Sequence, residues 1–160
     1  MQFARLQWIF PVAVALHNGE EAISMPGWVG RHGVRLPFAP PGATEIRLAL
    51  VVATLAAFLV TYLSVRGGKQ SVWAYLTFGY IVAMLANVFI PHVPASIVLH
   101  SYTPGLATAL VVNLPLMSWL AARAVREQWV GGWKAVWFGV AVPLLLAAGI
   151  LIVFGVGAMA

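Results

Sequence analysis

The sequence His17-Asn18-Gly19-Glu20-Glu21 lies inside the first long apolar stretch of the chain. An ionisable side chain at membrane depth costs roughly 2.5–3.5 kcal/mol on insertion scales. The chain has only four acidic residues and no aspartate, and two of the four stand side by side here, one helical turn after a histidine. Because this placement is costly, we interpret the segment as a functional site inside a membrane protein.

The composition excludes an ordinary soluble domain. Of the 160 residues, 62% are hydrophobic and 8% are charged, whereas soluble domains carry about 25% charged residues. A lipid bilayer is therefore the expected partner, because a chain this short cannot bury so much apolar surface in one core. The net charge of +5 does not indicate a nucleic-acid partner, since the nine Lys and Arg are spread singly over the ends of apolar segments. The absence of cysteine excludes disulfides, thiolate metal sites and cysteine nucleophiles.

Five stretches are long enough to cross a bilayer as helices: residues 5–24, 44–65, 71–91, 103–122 and 133–156. We expect an all-α fold, a polytopic transmembrane bundle of about five helices that forms a single integral membrane domain over residues 1–160. Pro26-Gly27 is expected to end the first helix. That helix begins like a signal peptide, but the polar cluster stands where a small-residue cleavage site should be, so we expect no cleavage.

The distribution of Lys and Arg predicts how the chain is inserted. With the N-terminus in the cytoplasm, the inner side carries six basic residues and the outer side three. The inner six are Arg5, Arg66, Lys69, Arg123, Arg126 and Lys134, and the outer three are Arg31, Arg35 and Arg47. This asymmetry predicts a multi-pass protein of the bacterial inner membrane with a cytoplasmic N-terminus.

On a helix, residues at positions i, i+3 and i+4 share one face, so His17, Glu20 and Glu21 point into the same quadrant. The spacing resembles the H-x-x-E-H pattern of some zinc peptidases, with glutamate in place of the second histidine. We predict His17 and Glu21 as metal ligands, Glu20 as the general base, and His92, at the end of the third span, as a third ligand. Two histidines and one carboxylate leave coordination positions open, as catalytic zinc requires, and the same set suits non-haem iron.

Other residues on the outer side extend this prediction. His100 is a candidate further ligand, which would permit a two-metal site if both glutamates coordinate. Tyr102 is a candidate catalytic residue, and Asn87 is predicted to orient a ligand histidine without itself binding the metal. Arg31 and Arg35, in the long connection after the first span, are predicted to bind an anionic head group of the substrate.

The chain resembles the HXXEE family of bacterial integral membrane proteins. The resemblance rests on His17-x-x-Glu20-Glu21 and on a second block, Asn87-Val88-Phe89-Ile90-Pro91-His92, followed by Tyr102-Thr103-Pro104-Gly105-Leu106-Ala107-Thr108-Ala109. These blocks extend over the first four helices, and the fifth carries no matching signature. The resemblance implies a membrane protein whose site combines the two blocks, and it implies no particular substrate.

Four roles are compatible with these residues, the last of which is a purely structural membrane subunit. The first is an intramembrane enzyme that uses a divalent metal, zinc or iron, on a hydrophobic substrate such as a lipid or isoprenoid. The second is a metal-free isomerase or cyclase in which Glu20 and Glu21 act as an acid/base pair. The third is a small transporter or sensor with an intramembrane proton or ion site, and a transporter of this size would have to be a homo-oligomer.

Overall fold

The computed structural model describes residues 2–32 and 41–157, with side chains up to residue 149. Every regular element in these ranges is helical, so the predicted all-α bundle is confirmed. The helices are α1 (Phe3–Leu6), α2 (Ile9–His32), α3 (Ala43–Gly67), α4 (Val72–Asn87), α5 (Val93–Val98), α6 (Leu106–Thr108), α7 (Leu114–Arg126) and α8 (Gly132–Gly157). The kinked segment Val88–His92, in which Ile90 is extended (φ −145°, ψ 111°), joins α4 to α5, and the π-helical turn Ala109–Asn113 joins α6 to α7.

Four helical segments in the described ranges are long and apolar enough to cross a membrane: Ala43–Gly67, Val72–Val98, Leu106–Arg126 and Gly132–Gly149. They correspond to the second to fifth predicted spans. With four such segments, the chain is a membrane protein. The first predicted span forms α2, which is 24 residues long. It differs from the other four because His17, Asn18, Glu20 and Glu21 lie in its middle and lower its hydropathy.

The expectation that Pro26 ends the first helix was wrong, since α2 continues to His32. A proline inside a helix leaves the carbonyl four residues earlier without its usual donor. Here that carbonyl belongs to Ala22, and the Nε of Arg47 on α3 donates to it at 3.3 Å. The side chain of a neighbouring helix thus replaces the missing backbone donor, and the helix passes through the proline.

Helices α2, α3 and α4 pack as antiparallel neighbours, joined by polar contacts at several depths. The Ser64 hydroxyl of α3 donates to Gln7 at 2.8 Å, and Asn18 of α2 donates to the Leu50 carbonyl at 3.1 Å. From α4, the Tyr80 hydroxyl donates to the Ala53 carbonyl at 2.9 Å. Asn18 therefore faces α3, while His17 and Glu21 turn toward the segments that follow α4.

Helix α8 packs along α4 from the outside of the bundle. Gly79 permits the contact, because a Cβ atom at this position would lie 2.6 Å from the carbonyl oxygen of Phe138 and 2.6 Å from Val142. Small residues allow transmembrane helices to approach closely in this way. The fifth span therefore packs against α4 through close van der Waals contact, away from the polar part of the bundle.

The fourth span begins later than the sequence predicted. The predicted span covers residues 103–122, but the helix starts at Leu106. Gly105 lies in the left-handed region with φ 84°, so the chain turns sharply just before the helix. Residues 102–105 consequently form a short loop, which packs against α2.

Candidate metal centre

Three predicted ligands meet in one buried cluster. The Oε1 of Glu21 lies 3.7 Å from the Nε2 of His17 and 3.4 Å from the Nε2 of His92. One donor atom from each residue falls within 4.8 Å of the other two. The side chains are almost fully buried, with residue exposures of 1% for His17, 8% for Glu21 and 1% for His92.

A regular helical turn and a kink produce this convergence. His17 and Glu21 are four residues apart on α2 and therefore lie on one face. The third predicted ligand, His92, lies in the kinked segment Val88–His92, where Ile90 is extended (φ −145°, ψ 111°) and the Val93 N–H donates to the Val88 carbonyl. On the two sides of this kink, Asn87 and His92 both turn toward α2, to His17 and Glu21 respectively.

The separations fit a metal coordination shell. Nitrogen and oxygen ligands bind zinc at about 2.0–2.2 Å, which puts tetrahedral neighbours roughly 3.3–3.6 Å apart. The distances from Glu21 to the two histidines, 3.7 and 3.4 Å, are close to this range. Among the described residues, His17, Glu21 and His92 are the group of His, Asp or Glu side chains that lie close enough together to hold a metal ion.

Thr108 fixes the proton position on His17. Its Oγ1 lies 2.9 Å from the Nδ1 of His17 and donates to the Oε2 of Glu20 at 2.6 Å. The hydroxyl has one proton, and its other close partner, the Gly105 carbonyl at 3.2 Å, is also an acceptor. Nδ1 of His17 must therefore be the donor to Thr108, which leaves a lone pair on Nε2, facing Glu21. A ligand histidine in a metal site is usually oriented by such a partner.

Glu20 has a different role from its neighbour Glu21. Its carboxylate accepts from the N–H groups of Gly105 and Thr108, each at 3.0 Å, and from the hydroxyls of Thr108 and Tyr102. The two residues predicted to be catalytic, Glu20 and Tyr102, are thus in direct contact. Burial and the acceptor Glu20 raise the pKa of the Tyr102 hydroxyl above its ordinary value, so it remains a donor at neutral pH.

The loop of residues 102–105 covers the cluster. A Cβ atom on Gly105 would lie 2.8 Å from the Cε1 atoms of both His17 and His92 and 3.0 Å from the Oε1 of Glu21. The backbone of Gly105 therefore contacts all three ligand residues. Because Glu20 bonds to both ends of the Tyr102–Thr108 segment, it holds this cover in place.

Two other predicted site residues, His100 and Arg31, are not brought to the cluster. His100 is exposed, in the left-handed turn after α5 (φ 48°), and does not belong to the metal-ligand group. Arg31 is exposed in the last turn of α2, ten residues beyond Glu21, which corresponds to about 15 Å along the helix axis. Arg35 lies outside the described residues.

The sequence analysis gave no role to Thr108 and Gly105. Both belong to the Tyr102–Ala109 block that carries the family resemblance, so their position in that block was the available signal. Asn87 was predicted to orient a ligand histidine. The structure brings its Nδ2 to 3.1 Å from the Nε2 of His17 and 2.9 Å from that of His92.

The fold and the cluster define a helical membrane protein with a buried His-Glu-His group. The chain belongs to the family described as proteins of unknown function with an HXXEE motif, whose model matches residues 8–120. The matched region contains every described residue of the cluster and its cover, and the family resemblance seen in the sequence is confirmed. The chain is also similar to the "Uncharacterized protein YrkK" of Bacillus subtilis (strain 168), with 28% identity over 149 residues and 92% of each chain covered. No solved structure matches the chain.

Proposed function

We propose that this protein is an intramembrane, metal-dependent enzyme that acts on a hydrophobic substrate of the lipid or isoprenoid type. The observation that carries the proposal is the buried meeting of Glu21 with the Nε2 atoms of His17 and His92. A buried carboxylate is strongly unfavourable unless a cation or a set of donors compensates it. In the described part of the chain its carboxylate faces the Nε2 atoms of these two imidazoles. Because His17 presents a lone pair to this space, it supplies neither a positive charge nor an N–H donor to the carboxylate.

Zinc or iron fits the donor set of two histidine nitrogens and one carboxylate oxygen. When bound, such an ion would polarise a substrate oxygen or lower the pKa of a coordinated water. The protein's own contribution is to hold His17 in one tautomer through Thr108 and to exclude bulk water by the cover of residues 102–105.

Glu20 and Tyr102 are the proposed proton-transfer groups. Glu20 is connected to His17 through the Thr108 hydroxyl, and Tyr102 is half exposed at the surface of the bundle. On α2, the neighbours of Glu20 one turn to either side, Leu16 and Ile23, are 57% and 83% exposed. This apolar surface beside a polar group supports a substrate whose tail lies in the lipid and whose head reaches Glu20.

We further propose insertion in the bacterial inner membrane with a cytoplasmic N-terminus. The six basic residues assigned to the inner side and the three assigned to the outer side support this orientation. The cluster then lies in the outer half of the bilayer, at the depth of a lipid head group and its first chain carbons.

The test is the metal content of the full chain purified in detergent without chelator, measured by inductively coupled plasma mass spectrometry. Wild type should carry about one equivalent of zinc or iron. Glu21→Gln and His92→Ala should lose the metal, whereas Glu127→Gln, a carboxylate change at the other end of the bundle, should retain it. Wild-type protein free of metal would overturn the proposal.

The direct contact between Glu20 and Tyr102 favours one alternative, acid/base catalysis without metal. In that case Glu20 and Tyr102 exchange protons with the substrate, and Glu21 with the histidines only shapes the pocket. An isomerase or cyclase of this kind would keep its activity after treatment with a strong chelator, while a metal enzyme would lose it.

A further inference from the structure

The side-chain amide of Asn87 occupies an unusual place between the two histidines. Its Nδ2 atom lies 3.1 Å from the Nε2 of His17 and 2.9 Å from the Nε2 of His92. These are the same nitrogen atoms that face Glu21. One end of the amide is therefore as close to the two Nε2 atoms as one metal ligand is to another. A residue that only orients a ligand histidine normally bonds to the ring nitrogen that does not bind the metal. For His17, that other nitrogen is already taken by Thr108.

The chemistry of the amide determines how it can respond when a cation enters. An amide NH2 group has no lone pair, and its contacts with the two Nε2 atoms require that both nitrogens act as acceptors. A metal ion takes both of these lone pairs, and the NH2 group would then face a positive charge. The amide carbonyl oxygen is nearly the same size and is a ligand for hard cations. A half turn of the amide places this oxygen where the nitrogen was.

We infer that Asn87 is a fourth metal ligand, which binds the cation through Oδ1. This inference rests on the proposed metal site and adds to it a complete set of four protein donors: two imidazole nitrogens, one carboxylate oxygen and one amide oxygen. With zinc bound, four such donors would fill a tetrahedral site. Asn87 is the neutral oxygen donor among them, so it would be the ligand that water or a substrate oxygen replaces most easily.

The position of Asn87 in the chain is consistent with this exchange. It is the last residue of α4, and the kinked segment that carries His92 follows directly. Asn87 is half-buried, whereas His17 and His92 are buried. Of the four donor residues, Asn87 is therefore the one whose side chain has room to turn away from the ion.

Two variants separate a ligand from an orienting donor. Asn87→Asp keeps an oxygen at this position and removes the NH2 group, whereas Asn87→Leu has a similar size and offers neither. Zinc affinity is measured for the full chain in detergent by competition with a chromophoric chelator. Asn113→Leu is the control, because Asn113 is fully buried and its amide has no hydrogen-bond partner among the described residues.

If Asn87 is a ligand, Asn87→Asp should bind zinc at least as tightly as wild type, and Asn87→Leu should bind it more weakly. Loss of an outer-shell partner alone weakens metal binding by about 10–100-fold, so loss of a ligand should cost at least tenfold. Equal weakening in Asn87→Asp and Asn87→Leu would overturn the inference and make Asn87 an orienting donor. Unchanged affinity in Asn87→Leu would overturn it as well. Wild-type protein that binds no zinc would instead overturn the metal site itself, and the inference with it.

The coordination of a cobalt(II)-substituted protein gives an independent readout. Four-coordinate cobalt absorbs visible light much more strongly than five- or six-coordinate cobalt, and its bands shift when a ligand changes. Asn87→Leu should alter the spectrum, because water or an open position replaces the amide oxygen. A spectrum identical to that of wild type would contradict the assignment.

Discussion

The two ends of the bundle use similar polar residues in different ways. At the end that the sequence predicts to be cytoplasmic, called the inner end, the carboxylate of Glu127 accepts from the Phe3 N–H at 2.7 Å and pairs with Arg123, and the Lys69 ammonium donates to the Glu127 carbonyl at 2.6 Å. These contacts are partly open to solvent and tie the N-terminus and two loops together. At the opposite end, called the outer end, His17, Glu21 and His92 present donor atoms to one another in a buried space.

This contrast separates carboxylates whose charge the fold compensates from a carboxylate that the proposed metal would compensate. Glu127 has a fixed cation and a backbone donor, so its charge is compensated by the fold. Glu20 has four donors and is compensated in the same way. Glu21, its direct neighbour, faces two imidazoles instead. Four substitutions test this distinction, in decreasing order of their expected effect.

Gly105→Ala should eliminate metal binding. The new Cβ would lie 2.8 Å from each histidine ring in a backbone conformation with φ 84°, so the ligands must move apart. Zinc affinity should fall by more than about 100-fold, beyond the usual effect of an outer-shell change. Gly68→Ala is the matched control at the inner end, since Gly68 has φ 72° and a Cβ atom added there would meet no heavy atom within 4 Å. It should lose about 1–3 kcal/mol of stability from backbone strain and keep its metal. Retained zinc affinity in Gly105→Ala would mean that the loop does not cover the site.

Thr108→Val should weaken zinc binding by about 10–100-fold, because His17 loses the partner that fixes its tautomer. Thr108→Ser keeps the hydroxyl and should restore most of the affinity. The control is Thr77→Val on α4, which removes the hydroxyl of a buried threonine far from His17 in the sequence. This hydroxyl donates only to the Val60 carbonyl. If both valine variants weaken zinc binding equally, the effect is one of packing and not of the His17 contact.

Glu20→Gln should reduce stability more than metal affinity. The amide nitrogen of glutamine cannot accept, so at least one of the four donors loses its partner, at a cost of about 1.5 kcal/mol for a hydrogen bond to a charged group. The free energy of unfolding can be followed through the seven tryptophans during an SDS titration in mixed micelles. A large loss of zinc with unchanged stability would instead indicate that Glu20 is itself a ligand.

Glu127→Gln should have the smallest effect, and one that depends on pH. The Phe3 N–H, together with Arg123 and Lys69, holds the pKa of the Glu127 carboxyl below its ordinary value. The folded state therefore binds fewer protons than the unfolded state, and this contribution to stability is present above the ordinary glutamate pKa and lost as the pH falls through the lowered value. Wild type should lose stability in this acidic range slightly more than Glu127→Gln does. Equal acid sensitivity of the two proteins would show that the contact contributes nothing, as is common for exposed pairs.

The fold followed from the sequence because hydropathy and length determine which segments cross a bilayer. The exceptions have local causes. Pro26 did not end α2, because Arg47 of another helix supplies the missing donor, and single-sequence patterns do not report such contacts. The start of the fourth span shifted to Leu106, because Gly105 adopts a left-handed conformation that its neighbours Thr103 and Pro104 do not reveal.

The candidate site was predictable only in part. His17 and Glu21 follow from helical spacing, and the burial cost of two glutamates marks the segment as unusual. The proximity of His92 depends on the kink at Ile90, and the contact of Thr108 with His17 depends on how α6 meets α2, neither of which has a periodic signature. The same limit explains His100, which is exposed after a left-handed turn and does not reach the cluster.

The packing of α8 has a consequence for biosynthesis. Every described residue of the cluster and its cover lies between His17 and Thr108, and α8 is added along the outer side of α4. A nascent chain that has released its first four long helices into the membrane already contains all the parts of the centre. Loading of the proposed metal would therefore not have to wait for the end of translation, and the final helix packs against α4 beside a cluster that is already assembled.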